Sequence, residues 1–248
     1  LIAASIMSKK LASGANSILL DVKVGSGAFM KDLDKARELA QLMVEIGRAA
    51  NKPTIAVITD MNAPTGYAIG NSLEVAESLE ILRGRGASDL REICIELAAG
   101  MLELAGFSKK DGLDMAINSL ESGIALKKFN ELVIAQGGKI ELMETAPVIR
   151  KISSNVQGYI KEMDTEGLGI VACMLGAGRN NPNDSVYPLS GILLHKKPAD
   201  YVYQGETIAE LHTSSIEMLS PAIDKFLDSI SFSNTPCMKK PLILGVLS

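Results

Sequence analysis

Ser17-Ile-Leu-Leu-Asp-Val-Lys-Val24, running into Gly25-Ser-Gly27, is rich in β-branched and aliphatic residues and stops at two glycines. That is the pattern of a buried strand ending in a tight turn. Beyond it Asp32 is a good helix N-cap, and Leu33, Ala36, Leu39, Ala40, Met43 and Ile46 recur at helical spacing until Gly47 and Pro53. Thr54-Ile-Ala-Val-Ile-Thr59 then reads as a second strand. Strand, helix and strand in that order make a β-α-β unit, whose two strands run parallel. The fold class that follows is α/β, a mostly parallel sheet covered by helices. Open sheets of this kind bind ligands beyond the C-terminal ends of their strands. Function is therefore expected to cluster near Asp60-Met-Asn-Ala-Pro-Thr-Gly66, the loop that ends the second strand.

Upstream, Leu1 to Ala12 is apolar and alanine-rich, with Lys9 and Lys10 near its end and Gly14 after it, which predicts a short helix with a cationic last turn. The chain opens in this apolar pattern without a methionine, so it is expected to be the C-terminal portion of a longer one. Downstream, helical patterns recur at 72–82, 88–104, 109–119 and 125–135. The character changes near Gly137. Val148 to Gly158, Tyr159 to Thr165, Leu168 to Leu175, Gly191 to His195 and Glu206 to Thr213 are short, β-rich and punctuated by turns. Three regions are expected: a helix at 1–14 left over from an α-domain that precedes Leu1, a central α/β domain at 15–141, and a smaller mixed β-rich domain at 142–248.

Composition narrows the function classes. Of 248 residues 47 % are hydrophobic and 22 % charged, enough to build a core and unlike a disordered chain. A formal charge of −4 gives no electrostatic reason to bind nucleic acid or acidic lipid, so neither is expected as a partner and a small ligand fits better. Cys94, Cys173 and Cys237 are odd in number and far apart, without zinc or disulfide spacing, and read as buried thiols in a reducing compartment. No apolar run is long enough to span a bilayer and no signal-peptide pattern opens the chain, so a cytoplasmic protein is expected.

Five stretches carry a family resemblance: Ala4-Ser-Ile-Met-Ser-Lys-Lys10, Leu20-Asp-Val-Lys-Val-Gly-Ser-Gly-Ala-Phe-Met30, Thr59-Asp-Met-Asn62, Gly70-Asn-Ser-Leu-Glu-Val75, and Leu175-Gly-Ala-Gly-Arg179 with Gly191-Ile-Leu-Leu-His-Lys-Lys197. In order and spacing they resemble the pyrimidine-nucleoside and thymidine phosphorylases, and Gly66-Tyr-Ala-Ile-Gly70 looks more like the broad-specificity bacterial enzymes. The resemblance implies reversible phosphorolysis of uridine, thymidine or deoxyuridine to a free base and a pentose 1-phosphate, with inorganic phosphate as co-substrate. It also implies a homodimer, formed through helices upstream of Leu1.

Ser5 and Lys9 stand at i and i+4, so on a helix they project from one face and can hydrogen-bond one planar ring edge. Taken alone, Lys9 is a solvated cation favoured by the helix dipole. The resemblance implies instead that Ser5 and Lys9 grip the pyrimidine and that Lys9 stabilises the charge developing on the departing base. Ile2, three residues before Ser5, and Phe29, beyond the glycine turn, are implied walls of the base pocket, although each residue type is more often plain core. Gly25-Ser-Gly27 invites a phosphate cradle but lacks a nucleotide fingerprint, and a tight turn is the better reading. The resemblance puts the phosphate loop, a histidine and an arginine upstream, so no phosphate ligand is expected in this chain and the chain alone is expected to be inactive. Thr65, Ala68 and Glu77 match a potassium site made of two backbone carbonyls and a carboxylate, an oxygen set that suits a hard cation. Without the resemblance, Glu77 would be a solvated helix residue.

Two other readings stay open. Gly191 to Glu206 resembles the hairpin of lipoyl- and biotin-carrier domains, but Lys196 and Lys197 follow a strand and precede Pro198, so they read as surface lysines. His195, on an apolar strand, reads as structural. Anthranilate phosphoribosyltransferase shares the general fold and chemistry at an anomeric carbon, and fold analogy alone does not separate the two.

Overall fold

The computed structural model describes residues 1–139, 144–179, 182 and 184–248. The β-α-β pattern forms as read: β1 (Ile18–Val24) and β2 (Thr54–Asp60) pair in parallel, from Ile18 with Thr54 to Val24 with Asp60, and α2 (Leu33–Ala49) joins them. Asp32 caps α2 by accepting the N–H groups of Asp34 and Lys35, each at 3.0 Å. Small residues bring this helix close to the sheet. Ala36, Ala40 and Gly47 are buried, and a Cβ on Gly47 would stand 2.0 Å from Thr54 Oγ1.

β1 alternates as a strand covered on two sides by different material. Ile18, Leu20, Val22 and Val24 are buried in a core shared with α2 and with Ala3 and Met7 of α1 (Ile2–Ala12). Leu19, Asp21 and Lys23 turn to the other face, where α4 (Ser88–Leu104) lies close enough that a Cβ on Gly100 would touch Leu19. α5 (Lys109–Glu121) packs on α4, its start capped by Ser108 Oγ on the Asp111 N–H.

The chain divides into two compact units. The first comprises Leu1–Met61, Ser88–Ser122 and Pro241–Ser248; the second comprises Asn62–Ala87 and Gly123–Lys240. They cut the chain elsewhere than the boundaries expected at 14 and 141. Leu142, where the β-rich domain was expected to begin, lies outside the described residues. The last segment supplies β10 (Ile243–Leu247), which pairs antiparallel with β2 and completes the order β1-β2-β10. The sheet of the first unit is thus mixed rather than mostly parallel, with β2 buried at its centre.

In the second unit β3 (Ala68–Ile69), β6 (Gly191–Leu194), β8 (Thr207–Thr213) and β4 (Val148–Ser153) form one antiparallel sheet in that order. β7 (Tyr201–Val202), β5 (Gly158–Met163) and β9 (Ile230–Ser233) form another. Helices α3 (Asn71–Leu82) and α6 (Ile124–Ala135) lie between β3 and β4 in the chain, and α7 (Thr165–Met174) and α8 (Leu219–Asp228) are interspersed among the later strands. The core centres on Ile160, Leu168, Leu175, Ile192, Leu211 and Phe226. Leu168 to Leu175, expected among the β-rich stretches, is instead the body and C-cap of α7. A short apolar run does not distinguish strand from helix by itself. Here Leu168, Val171, Ala172 and Leu175 are buried at helical spacing, and that burial fixes the choice.

The thiols also depart from expectation. Cys94 is exposed and Cys173 and Cys237 are half-buried, all three unpaired. No helix among the described residues is long and apolar enough to cross a membrane.

Removing Pro241–Ser248 would strip β2 of its antiparallel partner. Hydrogen exchange should then accelerate at β2 amides while the amides of β6 and β8, which belong to the other unit, keep their protection. Each backbone hydrogen bond lost is worth about 1 kcal/mol, so the first unit should lose several kcal/mol of stability. Unchanged exchange in β2 would contradict this.

Candidate active site

α1 turns Ala3 and Met7 into the core, and helical geometry then sends Ile2, Ser5 and Lys9 to the opposite side, within a wedge of roughly 60°. All three are exposed. Neither the Ser5 hydroxyl nor the Lys9 ammonium has a hydrogen-bond or ion-pair partner among the described residues. Ile6, half-buried, flanks the same face, and an isoleucine in an apolar helix carries no sequence signal that separates it from core.

The turn after β1 is tied rather than open. Gly25 N–H donates to Met30 C=O (2.9 Å), Ala28 N–H to Gly25 C=O (3.0 Å) and Gly27 N–H to Met61 C=O (2.9 Å). Met61 N–H in turn donates to Val24 C=O (2.7 Å), so the ends of the two parallel strands are stitched together. Gly25 has φ 134°, a conformation that favours glycine. Three N–H groups that an anion cradle would offer are therefore engaged by carbonyls. The turn carries Phe29 outward, 78 % exposed, so Phe29 is not core. An aromatic ring held in water by an ordered turn is available to a ligand.

A polar cluster that sequence reading passed over sits on the α4 side of the same sheet. Lys23 donates to Asp21 and to Thr59 Oγ1 (2.9 Å), and Thr59 donates to Asp21 Oδ1 (2.6 Å). Asp21 and Lys23 lie two apart on β1, and Lys23 pairs directly with Thr59, so all three share a face. The signal was available: two charged residues at strand spacing within an aliphatic run. The Cys94 thiol is near them. Although the residue is exposed at the surface, partial desolvation raises the thiol pKa most, the Lys23 cation lowers it and the Asp21 carboxylate raises it again, with a net upward shift.

In the second unit the loop before α3 is wrapped around one carboxylate. Glu77 Oε1 accepts the Tyr67 N–H (2.6 Å) and Oε2 the Ala68 N–H (3.3 Å), while Glu74 Oε1 accepts the Gly70 N–H (2.9 Å). Gly66, at φ 75°, lies so close that a Cβ there would stand 2.2 Å from Glu77 Oε2. Leu194 N–H donates to Tyr67 C=O (2.8 Å), so Ala68, the next residue in the antiparallel ladder, forms a non-hydrogen-bonded pair with Leu193. Its N–H and C=O face away from β6, and the N–H meets Glu77. The structure thus brings Ala68 and Glu77 together, with Thr65 half-buried in the same loop. A carboxylate beside an outward-turned carbonyl fits a hard cation, and the fit is partial because backbone N–H groups already occupy both carboxylate oxygens.

Lys197 does not behave as the surface lysine expected. It is half-buried, donates to Pro64 C=O (2.7 Å) and stands 5.0 Å over the Tyr67 ring, so a protein cation braces the loop from its other end. Lys196 pairs with Glu206 at 2.6 Å. His195 is exposed, 3.4 Å from Glu210.

Two family models match the chain, the first of them across both the first unit and Asn62–Ala87 of the second. Residues 2–126 match the model of the glycosyl transferase family, a/b domain, and residues 159–233 match the C-terminal domain of pyrimidine nucleoside phosphorylase. A thymidine phosphorylase from Mycobacterium tuberculosis is 42 % identical over 247 residues, which covers 98 % of this chain and 56 % of that protein. A pyrimidine-nucleoside phosphorylase from Geobacillus stearothermophilus is 38 % identical over 256 residues, covering 100 % of this chain and 59 % of that protein. One from Staphylococcus epidermidis is 41 % identical over 226 residues, covering 88 % and 52 %. The chain spans little more than half the length of these relatives.

Gly66→Ala is a direct test of the loop, since the new methyl must displace Glu77 and the residue must hold a left-handed conformation. It should lower the stability of the second unit by about 1–3 kcal/mol in chemical denaturation, and Ala at the exposed Gly84, also at positive φ but with open space around it, should cost less. Equal costs at the two positions would mean that the Glu77 contact is unimportant.

Proposed function

This chain belongs to the glycosyl transferase family and, within it, to the pyrimidine-nucleoside and thymidine phosphorylases, and we propose that it supplies the base-binding side of a phosphorolysis site. In that reaction a phosphate oxygen attacks the anomeric carbon of a pyrimidine nucleoside. The carbon–N1 bond breaks, its electron pair passes to the base, and a pentose 1-phosphate leaves. The observation that carries the reading is the unpartnered pair Ser5 and Lys9, one turn apart on the exposed face of α1.

Lys9 stabilises the negative charge that builds on the base, and Ser5 donates to or accepts from the same polar edge. Ile2 and Phe29 wall the ring. No phosphate ligand is assigned to these residues. Potassium would be held by the Thr65 and Ala68 carbonyls and the Glu77 carboxylate, and its charge would stiffen the loop that carries them. Uridine, thymidine and deoxyuridine are the substrates, and the enzyme works as a cytoplasmic homodimer. The unpaired state of all three cysteines supports a reducing compartment. The carrier reading has less support, since Lys196 and Lys197 are each engaged with protein groups.

The test uses protein expressed from the complete gene, incubated with uridine or thymidine and phosphate while free base and sugar phosphate are followed. Phosphate-dependent release of base is expected. Consumption of phosphoribosyl pyrophosphate with anthranilate, and none of nucleoside, would replace this reading with the transferase. In the same protein Lys9→Ala should lower kcat/KM by a factor corresponding to about 2–4 kcal/mol, and Ser5→Ala by less, since a neutral hydrogen bond is worth about 1 kcal/mol. An unchanged kcat/KM in folded Lys9→Ala sinks the role of Lys9. Exchanging potassium for choline should reduce turnover, and Glu77→Gln should blunt that response; turnover indifferent to potassium would remove the cation from the scheme.

A further inference from the structure

The second unit contains a cavity of ≈ 380 Å³ that the proposed reaction does not use. Leu73, Ala76 and Leu79 of α3 form one wall, Ala146 and Leu189 contribute apolar surface, and His212 of β8 closes another side. His212 is 6 % exposed, and its Nε2 has no hydrogen-bond partner among the described residues. Glu210 Oε2 stands 3.7 Å away, beyond hydrogen-bond reach.

Ladder geometry fixes where the imidazole points. His212 pairs directly with Gly191 of β6, and directly opposed residues of an antiparallel ladder share a face. A Cβ on Gly191 would meet Leu73 Cδ1 at 3.0 Å, so this is the face that α3 covers, and the ring is aimed into the cavity. A buried polar nitrogen left unpaired is uncommon in native proteins and calls for a cause.

The charged groups around the cavity leave no cation to spare: Glu80 is held by Arg83 (2.7 Å) and by Arg85 (3.0 Å) from outside the lining, Glu144 adds a carboxylate at the lining, and Glu210 stands beside His212. Desolvation by burial lowers the His212 pKa, against the raising effects of Glu210, so the ring is neutral at physiological pH. Ser72 and Thr145 add only neutral polar groups.

The geometry points to a second ligand site in this cavity, for a small uncharged molecule with an apolar ring and one hydroxyl or amide group that pairs with His212 Nε2. The volume is in the range of small-molecule sites, roughly 300–1,000 Å³, and apolar walls from α3, Ala146 and Leu189 stand beside the buried His212 nitrogen, with Ser72, Thr145, Glu80, Arg83 and Glu144 also at the lining. The inference does not depend on the phosphorolysis reading, because none of the residues assigned to that reaction lines the cavity.

The experiment is an NMR titration of the full chain, labelled with ¹⁵N at histidine, with phenol as the probe and benzoate as its charged counterpart. The chain has two histidines, so a His195→Gln variant assigns the signals. Phenol should shift the His212 Nε2 signal saturably, and benzoate should bind about tenfold or more weaker because its charge has no counter-ion. Leu79→Trp, which fills the cavity, should abolish the shift; if that variant does not fold, Ala76→Phe from the same wall serves. His212→Phe should weaken phenol binding, followed by ligand-observed NMR, by about five- to tenfold, the value of one hydrogen bond. No saturable shift at His212, equal binding of benzoate, or a shift that survives cavity filling would overturn the site.

Discussion

Seven residues of β1 lie beside seven of β2 in unbroken parallel register, and the candidate site depends on that pairing. Parallel strands end on the same edge, so the segments that follow them emerge side by side. The hydrogen bonds from Gly27 to Met61 and from Met61 to Val24 are local consequences of this arrangement. Burial holds the register, because a slip of one residue would exchange Ile18, Leu20, Val22 and Val24 with Leu19, Asp21 and Lys23 and put two charged groups into the α2 core. The same alternation that builds the core delivers Asp21 and Lys23 to Thr59 on the far side.

The two units solve the problem of holding a loop in different ways. In the first, a short turn is closed by backbone hydrogen bonds, and its exposed product is the Phe29 ring. In the second, a longer loop is gathered around Glu77 and pinned at Pro64 by Lys197. A half-buried carboxylate that receives backbone N–H groups is a charge-assisted arrangement, roughly twice as strong as neutral pairs, and it explains why Gly66 has no room for a side chain. The loop is thus organised by protein charges of both signs.

Local signals were legible and distant ones were not. Helix α4 was readable at both ends, Ser88 and Leu104, and α2 could be read from Asp32 because capping and periodicity are encoded within a few residues. That Ser5 and Lys9 share one exposed helix face was readable for the same reason, while a role for them came only with the family resemblance. β10 was invisible, since a five-residue aliphatic stretch gives no hint that its partner is β2. Lys197 looked like a surface residue because Pro64, the group it holds, is 133 positions away. The strand reading of Leu168 to Leu175 failed at an apolar run too short to show a period, where tertiary burial made the choice.

The position of β10 has a consequence for how the protein is made. Synthesis proceeds from the N-terminus, and β2 is the central strand of the first unit, yet one of its edges is covered by a strand translated only after the second unit. Everything in the second unit that follows Gly123 reaches the ribosome exit before that cover does. Until then β2 presents an unpaired edge of Val, Ile and Thr, the kind of edge on which chains associate wrongly. A nascent chain stalled or cleaved before Pro241 would carry a nearly complete second unit and an adhesive first one, a target for chaperones rather than a half-working enzyme.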